Sequence, residues 1–189
     1  VIPSREVRPA LHAATGLVAL LLGVLPRPLA LAGAALGMLA GWVVIPCSPL
    51  EAKLRRPDEP FFGGLRTYPL AVGGLIVVLP DTLAAVAWGI FAWGDAAASV
   101  AGRHVPSSAV FGHRKATWTG SGAFLTVAAL VGWGIGTVVA ATGGAPCPSV
   151  PRIVAAALAA TLIDLVPIPP DDNLPHATAA GLALAFLPL

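Results

Sequence analysis

The sequence predicts an all-α fold, a polytopic transmembrane bundle of about seven short helices in a single domain spanning 1–189, and three observations predict it. Hydrophobic residues make up 57% of the 189-residue chain and charged residues 11%, with mean hydropathy +0.84; soluble domains carry roughly 45–50% apolar and about 25% charged residues. The apolar residues fall in blocks at about 10–25, 28–46, 67–80, 82–101, 120–142, 152–167 and 174–188, separated by Pro, Gly or charge clusters. The cations are one-sided: seven spans put Arg5, Arg8, Lys53, Arg55, Arg56, Arg66, Arg103, Arg114 and Lys115 on one face and only Arg27 and Arg152 on the other, which accounts for all 11 Lys and Arg. Cytoplasmic loops retain Lys and Arg, so the N-terminus is expected in the cytoplasm, with loops at about 47–66, 102–119 and 168–173 on that face.

The first block, with Arg5 and Arg8 ahead of Leu11–Leu25, imitates a secretory signal, but many spans follow and Pro26-Arg27-Pro28 reads as a tight external turn. It is expected to stay in place. Stretches 30–41 and 122–145 are rich in Gly and Ala, which either pack closely or leave grooves open to the bilayer. The third and sixth blocks fall short of the roughly 20 residues a span needs, implying little tilt in a thinned bilayer, a water-filled cleft, or a count of six. Cys47 and Cys147 adjoin prolines and have no second Cys or nearby His at ligand spacing, so neither a disulfide nor a zinc site is expected. A net charge of +2, with cations beside the spans instead of in a stripe, excludes nucleic acid as the expected partner. The five tryptophans read as interface and packing residues, with Trp118 beside the basic loop also placed for base stacking.

The fourth block ends Trp93-Gly94-Asp95-Ala-Ala-Ala-Ser99-Val-Ala-Gly102-Arg103-His104. A carboxylate in an apolar span is costly, which makes Asp95 a functional candidate by default. Asp95, Ser99 and Gly102 share a helical face, and the small residues around them let a helix or a phosphate approach closely. The competing reading is a packing face with Asp95 paired to a buried base. The loop that follows holds Arg103, His104, His113, Arg114 and Lys115, then Thr117, Thr119, Gly120 and Ser121 at the start of the fifth block. Cations, hydroxyls and N–H groups at a helix start suit an anion such as polyphosphate, although a positive loop touching only lipid head groups has the same composition. A Walker-type P-loop is absent from the sequence. After the sixth block, Asp164-Leu-Val-Pro-Ile-Pro-Pro brings Asp171, Asp172 and Asn173 to the cytoplasmic face. Adjacent carboxylates suit Mg2+ shared with substrate phosphates; a helix cap is the alternative for any one of the three.

In that order, Gly94-Asp95-Ala-Ala-Ala-Ser-Val-Ala-Gly102-Arg103, Lys115-Ala-Thr117-Trp118-Thr119-Gly120-Ser121 and Asp171-Asp172-Asn173-Leu174 resemble the polyprenol (dolichol), phytol and CTP-dependent diacylglycerol kinase family. Arg8 and His12 resemble that family's Arg-Lys-x-x-His opening, so the likeness runs from about residue 8 to the end. Pro9 stands where the family has Lys, Lys115 lies one residue farther from Thr117, and Thr119 occupies a position commonly Glu, as it is also not Glu in phytol-kinase relatives. Asp164 stands for an acidic residue common in the sixth helix.

The resemblance implies CTP as phosphoryl donor, Mg2+ as cofactor and a lipid alcohol from the bilayer (a polyprenol, phytol or diacylglycerol) as acceptor, in a cell membrane of bacterial or archaeal type with the site on its cytoplasmic side. Phosphoryl transfer needs positioning, neutralised charge and an oriented hydroxyl. On this reading Asp95 with Asp171 or Asp172 holds the metal, and Arg103, Arg114 and Lys115, with Thr117, Gly120 and Ser121, bind the nucleotide phosphates. Asn173 orients an oxygen, Asp171 or Asp172 accepts the alcohol's proton, and Arg8, His12, Ser99 and Asp164 support. Two other classes stay open: a cytidylyltransferase making a CDP-lipid, and a small ion- or proton-coupled transporter using Asp95 and Asp164.

Overall fold

A computed structural model describes residues 4–51, 63–110, 116–143, 146–166, 168 and 172–187, with side chains from Val7 onward. These residues form seven helices and, beyond one bridging pair between Ala109 and Thr117, no β-structure. Helix α1 is Ser4–Leu17, prolonged by a tighter 3-10 segment Val18–Gly23, and α2 is Arg27–Leu39, prolonged by a wider π turn Ala40–Val44. Then come α3 (Gly64–Val78), α4 (Asp81–His104), α5 (Trp118–Gly143), α6 (Val150–Asp164) and α7 (Asn173–Phe186). Each of the seven apolar blocks became one helix, and Pro26, Pro80, Pro106 and Pro148 stand in four of the breaks, where a missing N–H costs the hydrogen-bond ladder nothing.

Three of these elements are long and apolar enough to cross a membrane: Arg27–Val44, Asp81–His104 and Trp118–Gly143. Helices α3 and α6 have 15 residues and α7 has 14, which at 1.5 Å per residue is roughly 22 Å, short of a hydrocarbon core of about 30 Å. The shortness expected of the third and sixth blocks extends to the seventh.

Helix α4 is the hub. From Ala84 to Ala92 every residue is buried, because α1, α3, α5, α6 and α7 all pack around it. Its seam with α5 depends on glycines: a Cβ at Gly94 would lie 2.5 Å from the Phe124 ring, and one at Gly89 would lie 2.4 Å from Ile135. The outward surface is apolar as well. Val150, Val154, Leu158 and Leu162 line the exposed face of α6 at four-residue spacing, and α2 exposes Leu29, Leu36, Leu39, Trp42 and Val43. An outward apolar belt of this size suits lipid and not water.

The two cations assigned to the sparse side each close a helix end. The Arg27 guanidinium donates to the carbonyls of Ile76, Val77 and Leu79 at the end of α3 and pairs with Asp81 at 3.0 Å. Arg152 donates to the Ala185 carbonyl at the end of α7, 3.2 Å away. Cations at helix C-termini satisfy orphan carbonyls and oppose the helix dipole, so both have a structural reason to sit at that end.

Candidate functional site at one end of the bundle

Polar side chains from five helices meet at the opposite end. From α1, His12 Nδ1 lies 2.9 Å from Asp95 Oδ2 on α4, at ion-pair distance, with side chains 14% and 34% exposed. In the packing reading Asp95 pairs with a buried base; the base that faces it is the half-buried His12. Tyr68 on α3 stacks against His12 with ring centroids 4.7 Å apart. Its phenol oxygen accepts the Trp88 indole N–H at 2.8 Å and lies 2.7 Å from Thr15 Oγ. Arg8, one helical turn before His12, passes against Gly64 so closely that a Cβ there would collide with the guanidinium.

The start of α7 supplies the second half. Asn173 is 6% exposed and donates its amide to Thr67 Oγ at 3.1 Å and to the Gly64 carbonyl at 3.4 Å, tying α7 to α3. Three residues on, His176 is 1% exposed, with Nε2 3.3 Å from Asp164 Oδ1 and its ring edge-on to Phe124. Asp164, Asp95 and Asp172 all lie close enough to act electrostatically on this one imidazole. Asp172 occupies the N-cap position of α7, yet its carboxylate makes no capping hydrogen bond. The capping alternative therefore does not account for that side chain.

At the start of α5 the chain itself meets the first helical N–H groups. Thr117 caps the helix, its hydroxyl accepting the Gly120 N–H at 3.1 Å, while the Trp118 N–H goes to the Ser108 carbonyl and the Thr119 N–H to Ser107 Oγ. The first N–H groups of α5 are thus satisfied within the chain. Gly120 instead lets α5 approach α4, where a Cβ would lie 3.3 Å from the Ala98 carbonyl and 3.7 Å from the Gly102 Cα. Ser121 Oγ is buried without a hydrogen-bond partner. Ser99 is half-buried on α4, and Arg103 is exposed at its end. Arg114, Lys115 and Asp171 lie outside the described residues.

No group of three His, Cys, Asp or Glu side chains able to hold a metal occurs among the described residues. Mg2+ commonly takes one or two protein carboxylates and completes its shell with water and substrate phosphates. Asp95 and Asp172 are the described carboxylates that would serve as such donors, with the metal otherwise held by a nucleotide.

Five participants carried no signal in a residue-by-residue reading: Thr15, Thr67, Tyr68, Trp88 and His176. Two were accessible in principle. Tyr68 is the one tyrosine of the chain and sits inside an apolar span, and His176 follows Asn173 by three residues, on the same helical face. No family model matches this chain, and no curated protein or solved structure is similar enough to it to count as a match.

Proposed function

We propose that the chain is an integral membrane lipid kinase, with its N-terminus and site on the cytoplasmic side, that moves the γ-phosphoryl group of CTP to the hydroxyl of a lipid alcohol. The observation carrying this reading is the meeting of the His12–Asp95 and His176–Asp164 pairs at the one end of an apolar bundle that also carries Arg8 and Arg103. A membrane protein has little reason to gather carboxylates, imidazoles and cations at one end except to handle polar groups there.

The reaction asks two things of the chain. The alcohol must lose a proton as its oxygen bonds to phosphorus and the phosphoanhydride bond breaks, releasing CDP, and an imidazole held by a carboxylate is a suitable acceptor for that proton. His12, held by Asp95, fills this role. The transferred phosphoryl and the leaving diphosphate carry negative charge, which falls to Arg8 and Arg103 with Arg114 and Lys115. Mg2+ accompanying the nucleotide would neutralise the remaining charge, with Asp95 and Asp172, or Asp171, as its protein donors.

The test is transfer by the purified protein in detergent with Mg2+, offering CTP or ATP against phytol, a polyprenol and diacylglycerol, and following lipid phosphate and released nucleotide together. Lipid phosphate with CDP supports the kinase. Pyrophosphate with a CDP-lipid makes the chain a cytidylyltransferase, and no nucleotide binding with ion flux in proteoliposomes makes it a transporter. Against the transporter stands α4, which carries no acidic, basic or histidine side chain between Asp81 and Asp95.

A further inference from the structure

A cavity of about 560 Å³ runs between α1, α2 and α3, bounded by Arg8, His12, Thr15 and Tyr68 at one end and by Leu25, Leu29 and Ile76 at the other. We infer that this cavity holds the tail of the acceptor, that it takes a single-chain lipid alcohol in preference to a two-chain one, and that the α2 glycines set the space. The inference rests on the reading of the protein as an enzyme of lipid alcohols and extends it to the choice of acceptor.

Shape gives the first argument. The lining follows α1 from Arg8 to Leu25, roughly 25 Å at the rises of α- and 3-10 helices. The space is elongated along α1, as one extended hydrocarbon chain is, and its capacity sets how much lipid it takes. With a methylene taken as similar in volume to water, about 30 Å³, the cavity holds on the order of twenty carbons. A longer tail leaves through the α1–α2 gap, where Val18, Leu21 and Leu29 are exposed.

Chemistry at the polar end gives the second. Thr15 Oγ lies 2.7 Å from the Leu11 carbonyl and 2.7 Å from Tyr68 Oη. A carbonyl cannot donate, so the single threonine proton goes to Leu11 and the contact with Tyr68 is made by the phenol proton. Tyr68 also accepts from Trp88. Each of these two oxygens therefore keeps an accepting lone pair, and the neighbouring His12–Asp95 pair also accepts protons. Such an end receives a donor, and a lipid whose head is one hydroxyl supplies it. The site disfavours a carboxylate or phosphate head, for which only Arg8 offers charge.

The wall on α2 is built from small side chains at helical spacing, Ala30, Gly33, Ala34, Gly37 and Gly41. A Cβ added at Gly33 would meet nothing within 4 Å, and one at Gly37 would meet only Pro69, at 3.5 Å. Larger residues fit there without disturbing the helix and at the cavity's expense.

The experiment labels the purified protein, without nucleotide, with a single-chain alcohol of roughly twenty carbons bearing a photoreactive group near its tail end, and maps the adducts by mass spectrometry. Adducts are expected on α2 and α3 near Leu29 and Ile76, competed by phytol and far less by diacylglycerol. Gly33→Leu should lower labelling at least about tenfold, since its side chain occupies volume the probe needs. Gly74→Leu, at an exposed site outside the cavity with open space around it, should leave labelling within about twofold, and both variants should keep the elution volume and thermal midpoint of the parent. Adducts spread over the lipid-facing stripe of α6, undiminished labelling in Gly33→Leu, or equal competition by diacylglycerol would each overturn the inference. Because nucleotide is absent, these outcomes are independent of whether phosphate is transferred.

Discussion

Replacing Asp95 by Asn keeps the volume and one carbonyl oxygen but removes the charge that faces His12 at 2.9 Å. The cost to folding follows from exposure. The Asp95 side chain is 34% exposed and that of His12 is 14% exposed, so the pair is neither fully desolvated nor fully screened, and its stability contribution is about 1 kcal/mol or less. For a chain of this size that is a thermal shift of roughly 2–4 °C at most.

The cost to catalysis is larger. A positioned acid–base group contributes typically about 10²–10⁴ in rate, and an imidazole deprived of its carboxylate loses both orientation and stabilisation of its protonated form. Asp95→Asn should therefore lower kcat at least ~100-fold in the CTP-to-lipid transfer assay with a near-parental melting curve. His12→Gln should do the same, and the double variant should fall no further than the worse single one, as for residues that act as a unit. Activity within about tenfold of the parent in Asp95→Asn, or additive losses in the double variant, would refute the paired role.

Other consequences follow from the two ends of the bundle. Asn173→Ala removes the amide bonds to Thr67 and Gly64 and should destabilise by about 0.5–1.5 kcal/mol, read as a lower thermal midpoint in detergent; an unchanged midpoint would mean that α7 is not tied to α3 through this amide. Arg27→Met keeps the aliphatic stem but removes the donor for three α3 carbonyls, and should cost about 1–2 kcal/mol without changing kcat, whereas lost turnover in a folded sample would place the far end in the mechanism. Burial raises the Cys147 thiol above its ordinary value, so it holds less thiolate at neutral pH. Maleimide should modify it slowly at pH 7 and progressively faster as pH rises through that shifted value; rapid labelling of Cys147 at pH 7 would contradict the burial.

Much of the fold was legible because the signals that make it are local. Pro26 and Pro28 flank Arg27 at a helix start, where proline's fixed geometry and missing N–H are tolerated, and the cut between the first two blocks falls there in sequence and structure alike. Asp95 stood out for an equally local reason, one carboxylate among alanines. Pairings across the bundle have no such trace. Thr15 meets Tyr68 from 53 residues away, and Asn173 meets Thr67 from 106, distances at which only packing decides. The start of α5 shows that one composition serves two arrangements. Threonine, glycine and serine after a basic run are the residues of an anion site, but they are equally the residues of an N-cap, and here Ser107, Ser108 and Thr117 take the donors first.

The same ambiguity attaches to small residues, and the two Gly- and Ala-rich stretches resolved it in opposite ways. On α4 and α5 the inward glycines face bulk on a neighbour: Gly94 takes the Phe124 ring, Gly132 takes Ile90 and Ile153, and Gly136 takes Cys147 and Val86, while Gly122 and Gly134 face open space. The missing side chains of one helix are filled by the other, which gives a close seam and a buried hub. On α2 the facing wall of α3 is itself made small by Pro69 and Gly73, the latter with only Ala34 and Met38 in contact distance of a Cβ. The two helices meet at Gly41, where a Cβ would collide with the Leu65 carbonyl, and at Gly37, where it would lie 3.5 Å from Pro69, while Gly33 faces open space in the cavity that Leu21 and Leu22 of the 3-10 segment also line. A glycine stripe therefore specifies a seam or a groove only jointly with what opposes it. That joint property puts the lipid-sized space against α2, beside the polar end where His12 meets Asp95.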